Sequence, residues 1–377
     1  MLNLLQVKIF MLFCNAVDDV FFIKRTLLLA ERARGKTSPN PMVGALLVKN
    51  GRILSEGYHK KAGTPHAEVI AIDKAGEKAS GATLYVSLEP CCHKDKRTPP
   101  CTEKIIVSGI RKVVIAMKDP NPKVSGKGVA ELEKAGIQVI PGILEEKAKK
   151  LNEAYIRHIT TGMPFAVLKV AMTLDGKIAT PAGESKWITG EKARKLVHRV
   201  RGSVDAVMTA IGTVKADNPM LTCRVSGYKN PVRVVIDPNL ETMPDSHVTA
   251  CPPETVIVTR SANGKEPLSN MLREKGVSFI EYQSEQLDLK WLMQELGKSG
   301  ITSLLIEGGS SLSSYCLEAG IVDKVMFFIA PKIIGGRDSF PAVGGNSFRQ
   351  LENAHRLMDV KTKKIGEDIL IEGYIQK

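Results

Sequence analysis

His66-Ala67-Glu68, answered downstream by Glu89-Pro90-Cys91 and Pro99-Pro100-Cys101, is the stretch that decides how the first part of this chain folds and what it can do. A catalytic zinc site needs three protein ligands and one open position, at which a bound water loses a proton near neutral pH and becomes a nucleophile. His66, Cys91 and Cys101 can supply the three ligands. Glu68, two residues beyond the histidine, is too close to chelate beside it but well placed to take a proton from that water and hand it to a leaving amine. Histidine-x-glutamate followed by proline-cysteine is the signature of hydrolytic deamination of a heterocycle. Two blander readings compete. A lone His-Ala-Glu is usually an ordinary helix start whose acid is favoured by the helix dipole. Alternatively, Cys91, Cys92 and Cys101 could join His66 or His93 in a closed structural zinc site, which would leave Glu68 without a task.

Outward from this core the chain alternates helix and strand. The pattern predicts a helix from Asp19 to about Arg34 with Gly35 as its stop, and a strand, turn and strand over 42–49 and 51–57. A helix from His66 to about Ala75, a strand at 83–87 and a helix at 102–108 stopped by Gly109 follow. Strands at 113–116 and 138–140 then flank a helix at 129–135. Both ligand clusters fall where strands hand over to helices, whose N-termini favour thiolate. The result is a three-layer α/β/α domain ending near Ile159. Thr160-Thr161-Gly162-Met163-Pro164 punctuates a boundary, and a new strand opens at Phe165. The expected division is therefore an extension at 1–17, a first domain at 18–160 and a second at 161–377. In the second, the buried strand 301–306 enters Glu307-Gly308-Gly309-Ser310-Ser311 and a helix, a turn able to present backbone N–H groups to phosphate. Such turns are often glycine-rich for steric reasons alone, and this one is not G-x-G-x-x-G.

A chain of 377 residues with 43% hydrophobic content has room for two or three domains. Its formal charge of +13 could attract nucleic acid, membrane or a small anionic substrate. The basic residues are scattered among acidic neighbours, as in Glu145-Glu146-Lys147-Ala148-Lys149-Lys150, and no basic run interleaves with aromatics as a nucleic-acid surface would. Seven cysteines, an odd number, do not read as a disulfide framework and fit a reduced, cytoplasmic compartment. Cys14, Cys223, Cys251 and Cys316 read as small apolar residues. Leu2 to Cys14 is apolar but lacks a charged n-region and a clean cleavage site, so it reads as a disordered leader or an upstream start, with a targeting peptide as the alternative. No window reaches the length of a membrane span.

Thr37-Ser38-Pro39-Asn40-Pro41-Met42-Val43-Gly44, His66-Ala67-Glu68, Glu89-Pro90-Cys91, Arg97-Thr98-Pro99-Pro100-Cys101 and Asp119-Pro120-Asn121-Pro122 together resemble the deaminase half of the bifunctional riboflavin-biosynthesis deaminases and reductases. Three further strings resemble the reductase half of the same family: Ala171-Met172-Thr173-Leu174-Asp175-Gly176-Lys177-Ile178-Ala179, Ser185-Lys186-Trp187-Ile188-Thr189, and Gly212-Thr213-Val214-Lys215-Ala216-Asp217-Asn218-Pro219. The resemblance begins near Asp19 and covers nearly all of the chain. It implies a cytidine-deaminase-like α/β/α domain followed by a dihydrofolate-reductase-like α/β domain, with zinc in the first and NADPH in the second. One stretch departs from the family pattern: between the ligand cysteines the usual glycine is missing and the loop is one residue longer. Anchoring on Glu89-Pro90 makes Cys91 the ligand; counting back from Cys101 would choose Cys92. Cys91 is preferred, because an insertion in a loop costs little whereas shifting a ligand moves the metal.

The resemblance also implies site residues. In the first domain Asn40 and His59 would hydrogen-bond the substrate, with His93, Arg97 and Asp119 as further binding candidates; Asn40 might instead only cap a turn between its flanking prolines. In the second, Ala171, Trp187, Thr213, Asp217 and the run Gly309, Ser310, Ser311, Leu312, Ser313, Ser314 and Tyr315 would contact the nicotinamide nucleotide. Ser185, Arg201, Leu221, Arg224 and Glu307 would line the substrate site, the two arginines suiting a sugar phosphate by their bidentate geometry. The expected chemistry is deamination of 2,5-diamino-6-ribosylamino-4(3H)-pyrimidinone 5′-phosphate, then reduction of its ribosyl group. The expected partner is that phosphorylated small molecule, with neither nucleic acid nor membrane, and with homo-oligomers forming through the reductase domain. Two alternatives stand beside this: a nucleic-acid deaminase, which would require a basic, aromatic-lined groove, and a reductase whose first domain is catalytically silent.

Overall fold

The computed structural model describes residues 19–93, 99–250, 252–260, 264–346 and 350–376. The N-terminal extension, the binding candidate Arg97, and Cys14 and Cys251 lie outside the described residues. The chain divides between Thr161 and Gly162 into two compact units.

The first unit runs α1 (19–31), β1 (Gly44–Lys49), β2 (Arg52–Tyr58), α2 (Ala67–Ala75), β3 (Thr83–Val86), α3 (Cys101–Val107), β4 (Lys112–Ile115), α4 (Lys127–Lys134), β5 (Gln138–Pro141), α5 (Glu145–Leu151) and α6 (Glu153–Thr161). Its sheet has the order β2-β1-β3-β4-β5. β1 is antiparallel to both neighbours, and β3, β4 and β5 are parallel. Two glycines show which face each helix covers. A side chain on Gly44 would collide with the Thr26 carbonyl of α1, and one on Gly57 with the Ala67 carbonyl of α2. Gly57 pairs with Ala45, not with Gly44, so side-chain alternation puts α1 and α2 on opposite faces of the sheet. With both faces covered, the inner strands read as continuous apolar runs such as Val113-Val114-Ile115, all buried. The bare backbone at Gly57 lets β2 press on the first turn of α2, which fixes the position of His66 and Glu68. α1 stops three residues before Arg34, because its last turn tightens: the Arg32 and Ala33 amides donate to the carbonyls three residues back.

The second unit runs β6 (Phe165–Thr173), β7 (Lys177–Ala179), α7 (Glu191–Arg201), β8 (Ala206–Ala210), α8 (Ile211–Asp217), β9 (Val232–Ile236), β10 (Thr255–Arg260), α9 (Glu266–Glu274), β11 (Val277–Tyr282), α10 (Leu289–Lys298), β12 (Ser303–Ile306), α11 (Ser310–Glu318), β13 (Lys324–Ala330), β14 (Phe340–Pro341), β15 (Leu357–Ile365) and β16 (Asp368–Ile375). Nine strands form one sheet in the order β11-β10-β9-β8-β12-β6-β13-β16-β15. The first seven are parallel, β16 is antiparallel to β13, and β15 is antiparallel to β16 and so runs with the first seven. Alternation along the central strands feeds two cores: Met208 and Ile306 enter one, Val207 and Leu305 the other. β8, β12 and β6 are adjacent, and their carboxyl ends deliver α8, Glu307 with α11, and Thr173 to one edge, the place where open α/β sheets bind ligands. No described helix is long and apolar enough to cross a membrane.

Candidate active sites

In the first unit, His66 is the residue that opens α2, Cys101 is the first residue of α3, and Cys91 lies on the loop that leaves β3. The Cys91 carbonyl accepts the Cys101 and Thr102 amides (2.9 and 3.3 Å), which ties the loop to the start of α3. His66 Nδ1 lies 3.2 Å from Cys101 Sγ and 3.5 Å from Cys91 Sγ, and all three donor atoms lie within 4.8 Å of one another. Tetrahedral zinc with ordinary Zn–N and Zn–S bonds would space such donors by ~3.6 Å. The set therefore fits zinc in its chemistry and its spacing, and Cys91, not Cys92, is the cysteine that converges. Glu68 projects from the first turn of α2 and is buried, and its Oε2 has no hydrogen-bond partner among the described residues. Burial, reinforced by Cys91, raises its carboxyl above the usual range against the opposing pull of His66 and Cys101. An orphaned buried carboxylate oxygen is costly unless it has a task.

His59, just past β2, is 2% exposed and has both ring nitrogens engaged: Nδ1 lies 3.3 Å from the Pro65 carbonyl and Nε2 3.1 Å from Asn40 Nδ2. Burial lowers its pKa, first among the causes. His59 therefore orients Asn40, leaving the Asn40 side-chain oxygen as the acceptor that can face a ligand. Asn40 also closes a turn through its own amide to the Thr37 carbonyl (2.8 Å). Asp119, just past β4, is buried and accepts from the Asn121 amide (2.9 Å) and the Tyr155 hydroxyl (2.8 Å). Burial pushes its carboxyl up to about 6, with Glu89 and Cys91 adding to the rise. His93 follows the ligand loop and is half-buried.

Sequence reasoning gave Glu89 no role, yet it organises this site. Its carboxylate accepts the amides of Asp119 (3.2 Å), Gly126 (3.0 Å) and Val129 (3.2 Å), fastening the 119–129 loop behind Cys91. An acid buried immediately before Pro90-Cys91 was the available signal.

In the second unit, Glu307 emerges from β12 into a buried ion cluster. Arg201 Nε and Nη2 donate to its two oxygens (2.6 and 3.0 Å), and Lys169 Nζ lies 3.4 Å away. Burial alone would raise the Glu307 carboxyl, but Arg201 and Lys169 outweigh it and hold it down at about 2. Arg201 thus holds Glu307 through one edge of its guanidinium, the Nε and Nη2 side. Lys169, a charge in the middle of the apolar strand β6, is the partner that sequence reasoning missed.

Ser185 Oγ donates to Asp217 Oδ1 (3.1 Å) at the end of α8, and Thr213 Oγ1 in the first turn of α8 faces Gly309 at the start of α11. Trp187 is 63% exposed, not core, and lies under the Arg194 guanidinium at 4.5 Å from the ring centroid. Ala171 lies on β6. The side chains of the run from Gly309 to Tyr315 point in several directions. Leu312 belongs to the hydrophobic core, and the Ser313 and Ser314 hydroxyls bond back to the Gly309 and Ser311 carbonyls. The Tyr315 hydroxyl bonds to the Leu287 carbonyl. The backbone N–H groups of the first turn, Gly309 to Leu312, precede the first intrahelical bond, from the Ser313 amide to the Gly309 carbonyl (3.1 Å), and are the ones open to a ligand. The Ser310 hydroxyl there is buried without a partner among the described residues.

The family profile described as “RibD C-terminal domain” matches residues 164–371, and that described as “Cytidine and deoxycytidylate deaminase zinc-binding region” matches residues 17–117. The riboflavin biosynthesis protein RibD of Actinobacillus pleuropneumoniae is 45% identical over 362 residues, spanning 95% of this chain and 96% of its own. That of Escherichia coli K12 is 38% identical, spanning 94% and 99%. Among solved structures, RibD of Acinetobacter baumannii superposes with a TM-score of 0.88 at 37% identity, covering 96% of this chain and all of its own. The diaminohydroxyphosphoribosylaminopyrimidine deaminase/5-amino-6-(5-phosphoribosylamino)uracil reductase of Thermotoga maritima gives 0.86 at 38% identity, with coverage of 96% and 100%.

Proposed function

Because the chain belongs to the RibD family of riboflavin-biosynthesis proteins, we propose that its two units carry out successive steps on one phosphorylated pyrimidine, each with the residues described above. It is a bifunctional deaminase and reductase. The first step is hydrolysis of the amino group at C2 of 2,5-diamino-6-ribosylamino-4(3H)-pyrimidinone 5′-phosphate. Zinc held by His66, Cys91 and Cys101 would supply Lewis acidity, bringing a water to its hydroxide form near neutral pH. Glu68 takes the proton from that water and delivers it to the departing ammonia, a task suited to a buried carboxyl held above its usual pKa. Asn40, oriented by His59, and Asp119, held by Tyr155, are the acceptors offered to the amino and N–H groups of the ring, and His93 and Arg97 are the candidates on the loop between the cysteines.

The second step is reduction at C1′ of the ring-opened ribose, for which a nicotinamide cofactor, when bound, would supply the hydride. NADPH is the proposed donor, to be held by Ala171, Trp187, Thr213, Asp217 and the run from Gly309 to Tyr315. Ser185, Leu221, Arg224 and the Arg201–Glu307–Lys169 cluster line the substrate side. Homo-oligomers through the second unit, a cytoplasmic location and no engagement of nucleic acid complete the proposal.

The observation that carries the deaminase step is the convergence of three zinc-competent donor atoms beside a buried carboxylate with an unpartnered oxygen. Ammonia release from the diaminopyrimidinone ribotide tests it, with zinc-loaded protein, no NADPH, and wild type beside Glu68→Gln. Turnover in wild type that vanishes in the variant while zinc stays bound is expected. No release by zinc-loaded wild type would instead mean a reductase with a silent first unit.

A further inference from the structure

Two side chains read as facing the substrate of the first unit, Asn40 and Asp119, border the zinc-competent cluster through different neighbours. Asn40 reaches it through His59, whose ring centroid lies 5.2 Å from that of His66. Asp119 stands close enough to Cys91 for the thiol to act on its carboxyl. Each has one oxygen to spare among the described residues. The Asn40 amide nitrogen meets His59 Nε2, which leaves Oδ1. On Asp119 the Asn121 amide and the Tyr155 hydroxyl both bond to Oδ1, which leaves Oδ2.

Both loops are fastened to the start of one helix, α6. Asn152, immediately before α6, is 2% exposed and spends both ends of its side chain on Met42: the Met42 amide donates to Oδ1 (2.8 Å) and the Met42 carbonyl accepts from Nδ2 (3.0 Å). Only Pro41, with its fixed φ, separates Met42 from Asn40, so a hold on one is passed to the other. Tyr155 follows Asn152 by three residues, within the first turn of α6. Burial, and after it the Asp119 carboxylate, keep the proton on its hydroxyl, while the Asn121 side chain bonds to the same group. Tyr155 therefore stays the donor to Asp119. α6 has no fully buried residue and reaches the apolar core through Ile156, so polar anchors weigh heavily in how it is seated.

We propose that the start of α6 is the bracket of the deaminase substrate site: Asn152, through Met42, positions Asn40, and Tyr155 positions Asp119, so that two fixed acceptor oxygens meet the N–H groups of an amino-substituted heterocycle. Asn152 and Tyr155 are positioning residues and touch no reacting atom. The inference rests on the deaminase reading of this unit.

The test is binding of 2,5-diamino-6-ribosylamino-4(3H)-pyrimidinone 5′-phosphate to the zinc-loaded full chain by titration calorimetry, in a Glu68→Gln background that prevents turnover, with KM and kcat measured in the Glu68 protein. Tyr155→Phe removes one hydroxyl; Asn152→Leu removes both side-chain bonds, and Asn152→Asp, which keeps the acceptor, replaces it should that protein not fold. Loss of a hydrogen bond to a charged group should weaken binding about tenfold in Tyr155→Phe, and loss of two neutral ones about as much in Asn152→Leu. KM should rise by a similar factor, kcat should change less, and zinc stoichiometry should stay at the wild-type value. Positioning also predicts coupling: Tyr155→Phe should add little to Asp119→Asn, and Asn152→Leu little to Asn40→Ala, whereas Tyr155→Phe and Asn40→Ala should multiply. Wild-type Kd in Tyr155→Phe and in the Asn152 variant would overturn the proposal. So would losses that multiply fully within each pair, or a loss of zinc that accounts for the weaker binding. Binding without ammonia release by the Glu68 protein would refute the deaminase reading itself, while the Kd comparison would still decide the bracket.

Discussion

Replacing Arg201 by methionine should destabilise the second unit, and the size of the effect follows from Glu307. That carboxyl is held at about 2 instead of its ordinary 4.5 although burial opposes this, so the attraction of Arg201 and Lys169 exceeds the desolvation cost. At about 1.4 kcal/mol per pH unit the difference corresponds to ~3 kcal/mol of folding stability, in line with the loss seen when a buried pair is broken from one side. Lys169 remains 3.4 Å away in the variant and retains part of this, so ~2 kcal/mol is expected for Arg201→Met. The assay is urea unfolding of the full chain followed by tryptophan fluorescence. Both tryptophans, Trp187 and Trp291, lie in the second unit, so the signal reports that unit alone. With a urea slope of ~2 to 3 kcal/mol per M, the midpoint should fall by about 1 M at pH 7. The sign with pH is fixed as well. A carboxyl whose folded pKa is depressed contributes fully above 4.5 and loses that contribution as pH falls toward 2, so the gap between wild type and variant should narrow from pH 5 to pH 3. Adding Glu307→Gln to Arg201→Met should bring no full recovery, because Lys169 then loses its partner in turn. An unchanged midpoint in Arg201→Met, or a gap that stays constant down to pH 3, would refute the reasoning.

Two further expectations concern the first unit. A side chain on Gly128 would collide with the Pro90 carbonyl, one residue before a zinc ligand, so Gly128→Ala should lower both zinc stoichiometry and the melting temperature of that unit, by about 1 to 3 kcal/mol in stability; full zinc occupancy at wild-type stability would contradict this. Asp119 is held at about 6 against an ordinary 3.8, so its burial costs stability progressively as pH rises through that window. Metal-free Asp119→Asn should therefore melt above wild type at pH 8 and converge with it near pH 4, while the zinc-loaded variant releases ammonia more slowly. A melting temperature below wild type at pH 8 would count against this account.

What the sequence made legible depended on how local the chemistry is. His66 and Glu68 sit two residues apart at a single helix start, and Cys91 and Cys101 are ten residues apart in sequence, so short strings were enough to find the zinc cluster. The β-α alternation was equally readable, because strands covered on both faces are unbroken apolar runs. The Arg201–Glu307–Lys169 cluster is of another kind. Its members come from α7, the end of β12 and the middle of β6, and only the sheet order β8-β12-β6 brings them together. A string that marks Arg201 as lining the site cannot say that a glutamate more than a hundred residues later pairs with its guanidinium. The same limit applies to the run from Gly309 to Tyr315, where a contiguous string does not show that the helix sends the Leu312 side chain into the core.

The two units handle buried carboxyls in opposite ways, and the difference follows the chemistry asked of each. Hydrolytic deamination needs a group that accepts a proton and gives it back, so Glu68 is buried without a fixed cation of its own and with one oxygen unpartnered, and its pKa rises. Hydride transfer to a sugar carbon places no such demand on Glu307, which is buried just as deeply but held ionised by two cations. Burial raises a carboxyl in both cases; the neighbours supplied by the fold decide whether it stays raised. Among the described residues, the charged groups that act on Glu68 are the zinc ligands His66, Cys91 and Cys101, not an arginine or lysine. Introducing a permanent cation beside Glu68 would be expected to abolish ammonia release as surely as removing the carboxyl, because a carboxylate held at a low pKa cannot carry the proton to the leaving group.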